Sequence, residues 1–224
     1  MYQWILSISI FVISFFIGSL HLSYWYAVKF NNINLFKVGT RSVGSSNMMN
    51  FVGKKASYIV AIFDFAVKGV MPILLLSYLG CDLWVRILAG LLIVCGHNWS
   101  PFLGFRGGRG ILTSLGIILG IGMWIEFVVM FVVAGMIGYG LIYRDSGFWT
   151  FIGFLLLIGL ALIYHPQLSS LVFCCLLVAI LLIKRLVANM DPIQGSNKFK
   201  ILFYRLIFDR DIRSKRIWNK YERY

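Results

Sequence analysis

The chain has 224 residues, of which 60% are hydrophobic and only 13% are charged, and its mean hydropathy is +0.85. Soluble globular domains carry about 25% charged residues, so this composition excludes a soluble fold and indicates an all-α, polytopic membrane protein. The formal net charge is +13, but the basic residues cluster in loops and in the tail, which argues against nucleic-acid binding.

Apolar segments follow one another along the chain and predict about seven transmembrane helices. They lie at roughly 4–28, 57–79, 84–97, 111–125, 127–143, 147–164 and 167–185. The run from 111 to 143 would be about 50 Å long as one helix, against a bilayer core of about 30 Å. We therefore predict two helices there, with a turn near Trp124–Glu126.

The basic residues predict the orientation of these helices. Loops 29–55 and 96–110 are basic and contain no acidic residue, and the C-terminal tail is also basic. The positive-inside rule places all three in the cytoplasm, so the N-terminus lies outside and seven spans return the C-terminus inside. Residues 1–197 are predicted to form the membrane domain, and residues 198–224 a basic cytoplasmic tail.

The tail carries an apolar stripe with helical spacing. Its members are Phe199, Leu202, Phe203, Leu206 and Ile207, and most of the basic residues fall on other faces: Lys198, Lys200, Arg205 and Arg210. This pattern predicts an amphipathic helix that lies on anionic lipid. A solvated basic tail is the alternative.

The loop at 96–110 is rich in glycine and contains two arginines, Arg106 and Arg109. Glycine lets backbone N–H groups approach an anion, and arginine supplies charge, so the loop predicts a phosphate site at the membrane surface. No Gly-Lys-Ser/Thr follows, which excludes a nucleotide P-loop. A loop that is basic only for topological reasons is the alternative.

A second polar loop covers residues 39–50, which read GTRSVGSSNMMN. Its hydroxyl and amide groups can donate hydrogen bonds to a phosphate or a polyol. A helix-capping turn, with Ser45 or Ser46 as the cap, is the alternative.

Two ionisable residues, Asp64 and Lys68, lie four residues apart in the second apolar segment. This spacing puts them on one helix face, where their charges neutralise each other. Charges inside a membrane are costly, so the pair is either functional or a structural ion pair near Pro72. The sequence predicts no metal-binding cluster.

The three histidines exclude one alternative class of enzyme. His21, His97 and His165 are followed, after four intervening residues, by Tyr26, Phe102 and Ser170. None of these is aspartate, so the His-x4-Asp arrangement of soluble-type glycerolipid acyltransferases is excluded.

The glycine-rich loop also resembles a specific family motif. Residues 96–113 read GHNWSPFLGFRGGRGILT and resemble the pattern GHxxPxxxxFKGGKGxxT, with arginine in both lysine positions and the proline one position later. The stretch DFAVKGVMP, which begins at Asp64, resembles the DxxxKGxxP helix of the same family. Over roughly residues 12–200 the chain is similar to the integral-membrane, acyl-phosphate-dependent glycerol-3-phosphate acyltransferases of bacteria, the PlsY type.

Two other family motifs are altered. The pattern GSGNPGATNxxR falls on residues 39–50, where Asn50 stands in place of the arginine and Arg41 in place of a glycine. Of the pattern HxxNIxRLxxGxE, Gly195 matches and Asn189 is a weaker match, while the histidine, arginine and glutamate are not recognisable. Arg41 could replace the charge that Asn50 lacks.

The resemblance implies an enzyme of phospholipid synthesis in a bacterial plasma membrane. It would move an acyl chain from acyl-phosphate to the 1-hydroxyl of glycerol 3-phosphate, without a cofactor, and release lysophosphatidic acid among the membrane lipids. His97, which we expect to orient the loop, and Arg109 are the implied catalytic residues. The implied substrate-binding residues are Thr40, Arg41, Ser46, Asn47, Arg106, Gly107, Gly108 and Arg109. The altered motifs leave two alternatives, a non-catalytic homologue that binds a phosphate-bearing lipid or a partner, and a small transporter.

Overall fold

The computed structural model describes residues 2–190, 193, 197–214 and 217–218. These residues divide between two compact units, Met1–Met123 and Trp124–Tyr224. Within this described part, the regular structure is helical, and the β-type pairing consists of an isolated bridge between Ser100 and Arg106. The predicted all-α fold class is therefore confirmed.

Among the described residues, the first unit contains six helices and a short 3-10 turn at Pro101–Leu103. The helices are α1 (Tyr2–Ser19), α2 (Leu22–Asn31), α3 (Ser45–Phe51), α4 (Lys54–Tyr78), α5 (Leu83–Asn98) and α6 (Ile111–Ile121). The second unit contains α7 (Trp124–Ile142), α8 (Ser146–Tyr164), α9 (Leu168–Val187) and α10 (Lys198–Phe208).

Five helical segments among the described residues are long and apolar enough to cross a membrane. They are Trp4–Asn31, Lys54–Tyr78, Trp124–Ile142, Ser146–Tyr164 and Leu168–Val187. α5 and α6 are shorter apolar helices, of 16 and 11 residues. At 1.5 Å per residue they reach about 24 and 17 Å, less than the bilayer core of about 30 Å.

The first apolar segment, predicted as one helix over 4–28, is interrupted at Leu20 and His21. The Leu20 carbonyl accepts a hydrogen bond of 2.7 Å from Lys68 Nζ, a buried ammonium of α4. A side chain that satisfies backbone groups at a helix interruption offsets the helical hydrogen bonds lost there. Because the partner comes from 48 residues further along the chain, apolar periodicity could not reveal the break.

The long apolar run from 111 to 143 forms two helices, as predicted, but the turn lies earlier than expected. α6 ends at Gly122, which has a left-handed φ of 99°, and α7 begins at Trp124. Glycine adopts this conformation without a Cβ clash and is the usual helix terminator. The predicted turn at Trp124–Glu126 is therefore wrong by about two residues, and Glu126 lies in the first turn of α7.

Glycine also allows the helices of the first unit to pack closely around the polar loops. A Cβ on Gly96 of α5 would lie 2.0 Å from the Phe15 carbonyl of α1, and a Cβ on Gly116 of α6 would lie 2.1 Å from the Phe65 carbonyl of α4. Small residues at helix crossings let backbones approach and gain dispersion energy in a membrane. These two crossings hold the C-terminal end of α5 and the middle of α6, and the glycine-rich loop lies between these two helices in the chain.

The predicted tail helix is present as α10. One detail of its predicted pattern is wrong, because Arg205, which we expected on the polar face, is buried and forms an ion pair with Asp211. The rest of the tail beyond Trp218 lies outside the described residues, and its separation from the membrane domain stays a prediction.

Candidate active site

The glycine-rich loop folds back onto the C-terminal end of α5. Ser100 N donates to Arg106 O at 3.1 Å, and Gly108 N donates to His97 O at 3.0 Å. The reversal passes through two left-handed residues, Gly104 (φ 62°) and Phe105 (φ 58°). The loop is thus fixed by its own backbone before α6 begins.

Gly107 and Gly108 are the places where this loop touches His97. A Cβ on Gly107 would lie 2.2 Å from the His97 carbonyl oxygen, and one on Gly108 would lie 2.1 Å from His97 Nε2. Any side chain would therefore push the loop away. We predicted backbone N–H groups here for a ligand, but the Gly108 N–H already donates within the protein.

His97 lies beneath the loop and is buried. Its Nδ1 is 3.0 Å from Lys68 Nζ and 3.4 Å from Thr113 Oγ1, and its ring centre is 4.9 Å from that of His21. One ring nitrogen thus faces a buried ammonium, and the other faces the Gly108 backbone. This geometry favours an orienting role for His97 over proton transfer to a substrate.

Asp64 and Lys68 form the ion pair that their spacing predicts. Asp64 Oδ1 lies 3.2 Å from Lys68 Nζ, and both side chains are buried. The same ammonium donates to Leu20 O and faces His97 Nδ1. This link to His97 could not be predicted from the sequence, because no local pattern connects residues 29 positions apart.

Asn47 organises the 39–50 loop from within. Its amide nitrogen contacts the carbonyls of Leu35, Val38 and Ser42 at 3.0 to 3.1 Å, and its amide oxygen accepts from Thr40 N at 3.1 Å. The side chain is fully buried. An amide has two N–H groups, and three carbonyls already share them, so Asn47 has no donor left for a phosphate. These contacts favour a structural role for Asn47, and its role as a substrate-binding residue stays a prediction.

The other predicted residues of this loop differ in exposure. Arg41 is buried and has a left-handed φ of 53°, a conformation that explains why the family pattern has glycine there. Thr40 Oγ1 lies 3.1 Å from Ser42 Oγ. Ser46, in the first turn of α3, is exposed, and so is Asn50.

The glycine-rich loop packs on residues from the 39–50 loop and from the segment just before it. The Arg106 guanidinium stacks over the Phe36 ring at 5.7 Å, and Leu103 packs against a hydrophobic cluster that includes Leu35 and Met48. Arg106 is exposed and Arg109 is half-buried. The structure therefore brings together the segments that carry Arg41, Arg106 and Arg109.

The third family motif falls in the second unit. Asn189 is buried, has a left-handed φ of 59°, and accepts a hydrogen bond of 2.6 Å from Lys184 Nζ. Gly195 lies outside the described residues. Within this unit the motif thus contributes a buried lysine–asparagine contact.

Comparison with known proteins agrees with these observations. The family model for glycerol-3-phosphate acyltransferase matches residues 8–195. The protein named glycerol-3-phosphate acyltransferase 4 of Dehalococcoides mccartyi (strain CBDB1) is 32% identical over 216 residues, which cover 91% of this chain and 89% of that protein. The chain belongs to the glycerol-3-phosphate acyltransferase family.

Two further comparisons concern a second relative and the fold of this acyltransferase. Glycerol-3-phosphate acyltransferase 1 of Deinococcus radiodurans is 40% identical over 107 residues, 48% of this chain and 53% of that protein. The crystal structure of PlsY, an integral membrane glycerol 3-phosphate acyltransferase in its glycerol 3-phosphate form, matches with a TM-score of 0.71 at 24% identity. The match covers 84% of this chain and 96% of the PlsY chain, and the two chains share a fold. With its apolar helices, the chain is an integral membrane protein.

Proposed function

We propose that this acyltransferase moves an acyl chain from acyl-phosphate to the 1-hydroxyl of glycerol 3-phosphate and so makes lysophosphatidic acid for phospholipid synthesis. The observation that carries the proposal is the packing of the glycine-rich loop on the 39–50 loop and the segment before it, by Leu103 against the cluster that includes Met48 and by Arg106 over the Phe36 ring. Both substrates carry a phosphate, and a site with several arginines from two adjoining loops suits two anions.

Acyl-phosphate needs little chemical activation from the protein. In the reaction the glycerol hydroxyl oxygen bonds to the acyl carbon, the bond between that carbon and the phosphate oxygen breaks, and phosphate leaves with the electron pair. The hydroxyl proton is released. The protein's task is to position two anions and to stabilise the negative charge that develops on the acyl oxygen.

We assign the phosphate contacts to Arg109, Arg106 and Arg41, with the hydroxyls of Thr40 and Ser46 as additional donors. Arg41 supplies the charge that the family pattern places at residue 50. His97 is a positioning residue in this scheme, because its ring supports the loop that carries both Arg106 and Arg109. Asp64 and Lys68 hold His97 in turn.

We infer a cytoplasmic site in the plasma membrane of a bacterium. The basic loops 29–55 and 96–110 support this orientation, with the N-terminus outside and the C-terminus inside. Seven spans then require that α5 and α6 cross as short helices, with local thinning of the bilayer or tilt of their neighbours.

The test uses the full chain in lipid nanodiscs, with acyl-phosphate and glycerol 3-phosphate as substrates and lysophosphatidic acid as the measured product. Acyl-CoA and acyl-carrier protein replace acyl-phosphate in parallel reactions. We expect product with acyl-phosphate and its loss in Arg109→Ala. Product formation with acyl-CoA alone would contradict the proposed donor, and no product with any donor would contradict the proposed activity.

A second candidate is a non-catalytic homologue that binds a phosphate-bearing lipid or a partner. The observation in its favour is Asn50, which is exposed and uncharged at the position of the family arginine. Binding of labelled glycerol 3-phosphate without turnover would support this candidate. The transporter alternative is weakened, because Asp64 and Lys68 are paired with each other in the protein interior.

A further inference from the structure

The tail helix α10 is a part of the chain that acyl transfer does not explain. It begins at Lys198, after residue 195, where the match to the family model ends. Its first turn is capped by Asn197, whose side-chain oxygen accepts from Lys200 N at 3.0 Å. A capped helix outside the matched region indicates a separate role.

Two arginines fasten α10 to the end of the membrane-length helix α9. Arg185 of α9 donates to the carbonyls of Leu206 and Ile207 at 2.6 and 3.3 Å. In return, Arg205 of α10 donates to the carbonyl of Leu186 at 2.9 Å. Each cation therefore satisfies carbonyls at the C-terminal end of the other helix, which is also favourable for the helix dipoles.

Further ion pairs hold the C-terminal end of α10. Arg205 Nε lies 2.6 Å from Asp211 Oδ1, and Arg210 pairs with Asp145, in the loop before α8. These four side chains are buried. Since α9 is long enough to cross the bilayer, a helix fastened to its end lies at the membrane surface.

The edge of α10 away from the buried Arg205 presents aromatic rings. Phe199 is 81% exposed and Phe203, one turn later, is 48% exposed. Both Lys198 and Lys200, beside Phe199, are exposed as well. Apolar rings with adjacent lysines match the interface of an anionic bilayer, where rings insert at headgroup level and lysines meet phosphate.

We propose that α10 is a membrane-surface helix that binds anionic phospholipid. Phe199 and Phe203 insert at the interface of the bilayer that α9 crosses, and Lys198 and Lys200 contact its anionic headgroups. The contact with lipid is independent of catalysis, since none of these residues belongs to the proposed active site.

A test places an environment-sensitive fluorescent amino acid at position 199 or 203 of the full chain. The protein is reconstituted in nanodiscs of phosphatidylcholine, or of phosphatidylcholine mixed with phosphatidylglycerol. Brominated lipids report contact with the acyl region, and aqueous iodide reports exposure to water. A probe at Asn50, which is exposed in the 39–50 loop, provides the comparison for water exposure.

We expect quenching by brominated lipid at both positions, and more of it in the anionic nanodiscs. The double variant Lys198→Gln with Lys200→Gln should weaken the docking of α10 to anionic nanodiscs about thirty-fold. The reason is that the attraction of two lysines to an anionic surface is lost. Lys54→Gln with Lys55→Gln is the matched control, since both lysines are exposed and lie in the other unit. Lys198→Arg with Lys200→Arg should keep the wild-type response, which separates lost charge from lost fold.

Two results would overturn the proposal. In the first, iodide quenches the probes at 199 and 203 as strongly as the probe at 50 in both lipid compositions. In the second, brominated lipid quenches them equally in both compositions and in the glutamine variant, so that lipid charge has no effect.

Discussion

Lys68 Nζ lies 3.0 Å from His97 Nδ1, and this contact joins the membrane ion pair to the glycine-rich loop. The same ammonium holds Asp64 and the Leu20 carbonyl, so one charge fixes α1, α4 and the end of α5. Asp64 and Lys68 are thus both an ion pair and the support of the candidate active site, and the two interpretations of their spacing are compatible.

Lys68→Met should destabilise the protein by about 3–5 kcal/mol, because it leaves the buried Asp64 carboxylate without its partner. Asp64→Asn combined with Lys68→Met should recover much of that loss, since no unpaired charge remains. The recovered variant should still make product more slowly, because His97 has lost its Lys68 contact. Thermal unfolding and initial rates measure the two effects. Equal stability of the single and double variants would contradict a buried ion pair.

Gly108→Ala should lower the rate of product formation by about a hundred-fold, the loss that follows from a displacement of about 1 Å. The new Cβ would lie 2.1 Å from His97 Nε2, so the loop must move and carry Arg109 with it. The control is Gly135→Ala in α7, where a Cβ meets nothing within 4 Å. The loop geometry would be refuted if both variants kept wild-type rates.

Arg41→Gly should change stability and activity in opposite directions. Glycine relieves the left-handed φ of 53° and stabilises the fold by about 1 kcal/mol, while the loss of a charge raises KM for glycerol 3-phosphate. Adding Asn50→Arg, which restores the family pattern, should bring KM back. Unfolding temperatures and KM values measure the two expected changes, a gain in stability and a rise in KM. If Arg41→Gly left KM unchanged, Arg41 would not be a phosphate ligand.

Asn47→Ala should destabilise the protein by about 2–4 kcal/mol without any substrate present, because several buried hydrogen bonds are lost together. Ser46→Ala, at an exposed position beside it, is the control and should alter stability by less than about 0.5 kcal/mol. Chemical unfolding of the substrate-free protein measures both. If Asn47→Ala kept full stability and lost only substrate affinity, Asn47 would be a phosphate ligand.

Local patterns predicted the elements more accurately than their ends. The helices of the run 111–143 were separated correctly, yet the turn depends on Gly122 and lies before Trp124. The interruption at Leu20 and His21 was not predicted, because the hydrogen bond at that carbonyl comes from Lys68, which is remote in sequence. Arg205 was expected on the polar face of the tail helix, whereas it is buried and paired with Asp211.

Four features could be predicted without any coordinates: the membrane class, the all-α architecture, the ion pair of α4 and the loops that resemble the family motifs. These follow from hydropathy and from spacing within one segment, which are local properties. Three contacts became visible only in the folded chain: Lys68 with His97, the Asn47 amide with backbone carbonyls, and Arg106 with Phe36. Those contacts depend on how closely separate helices and loops approach, and that approach is set by packing, such as the glycine crossings at Gly96 and Gly116.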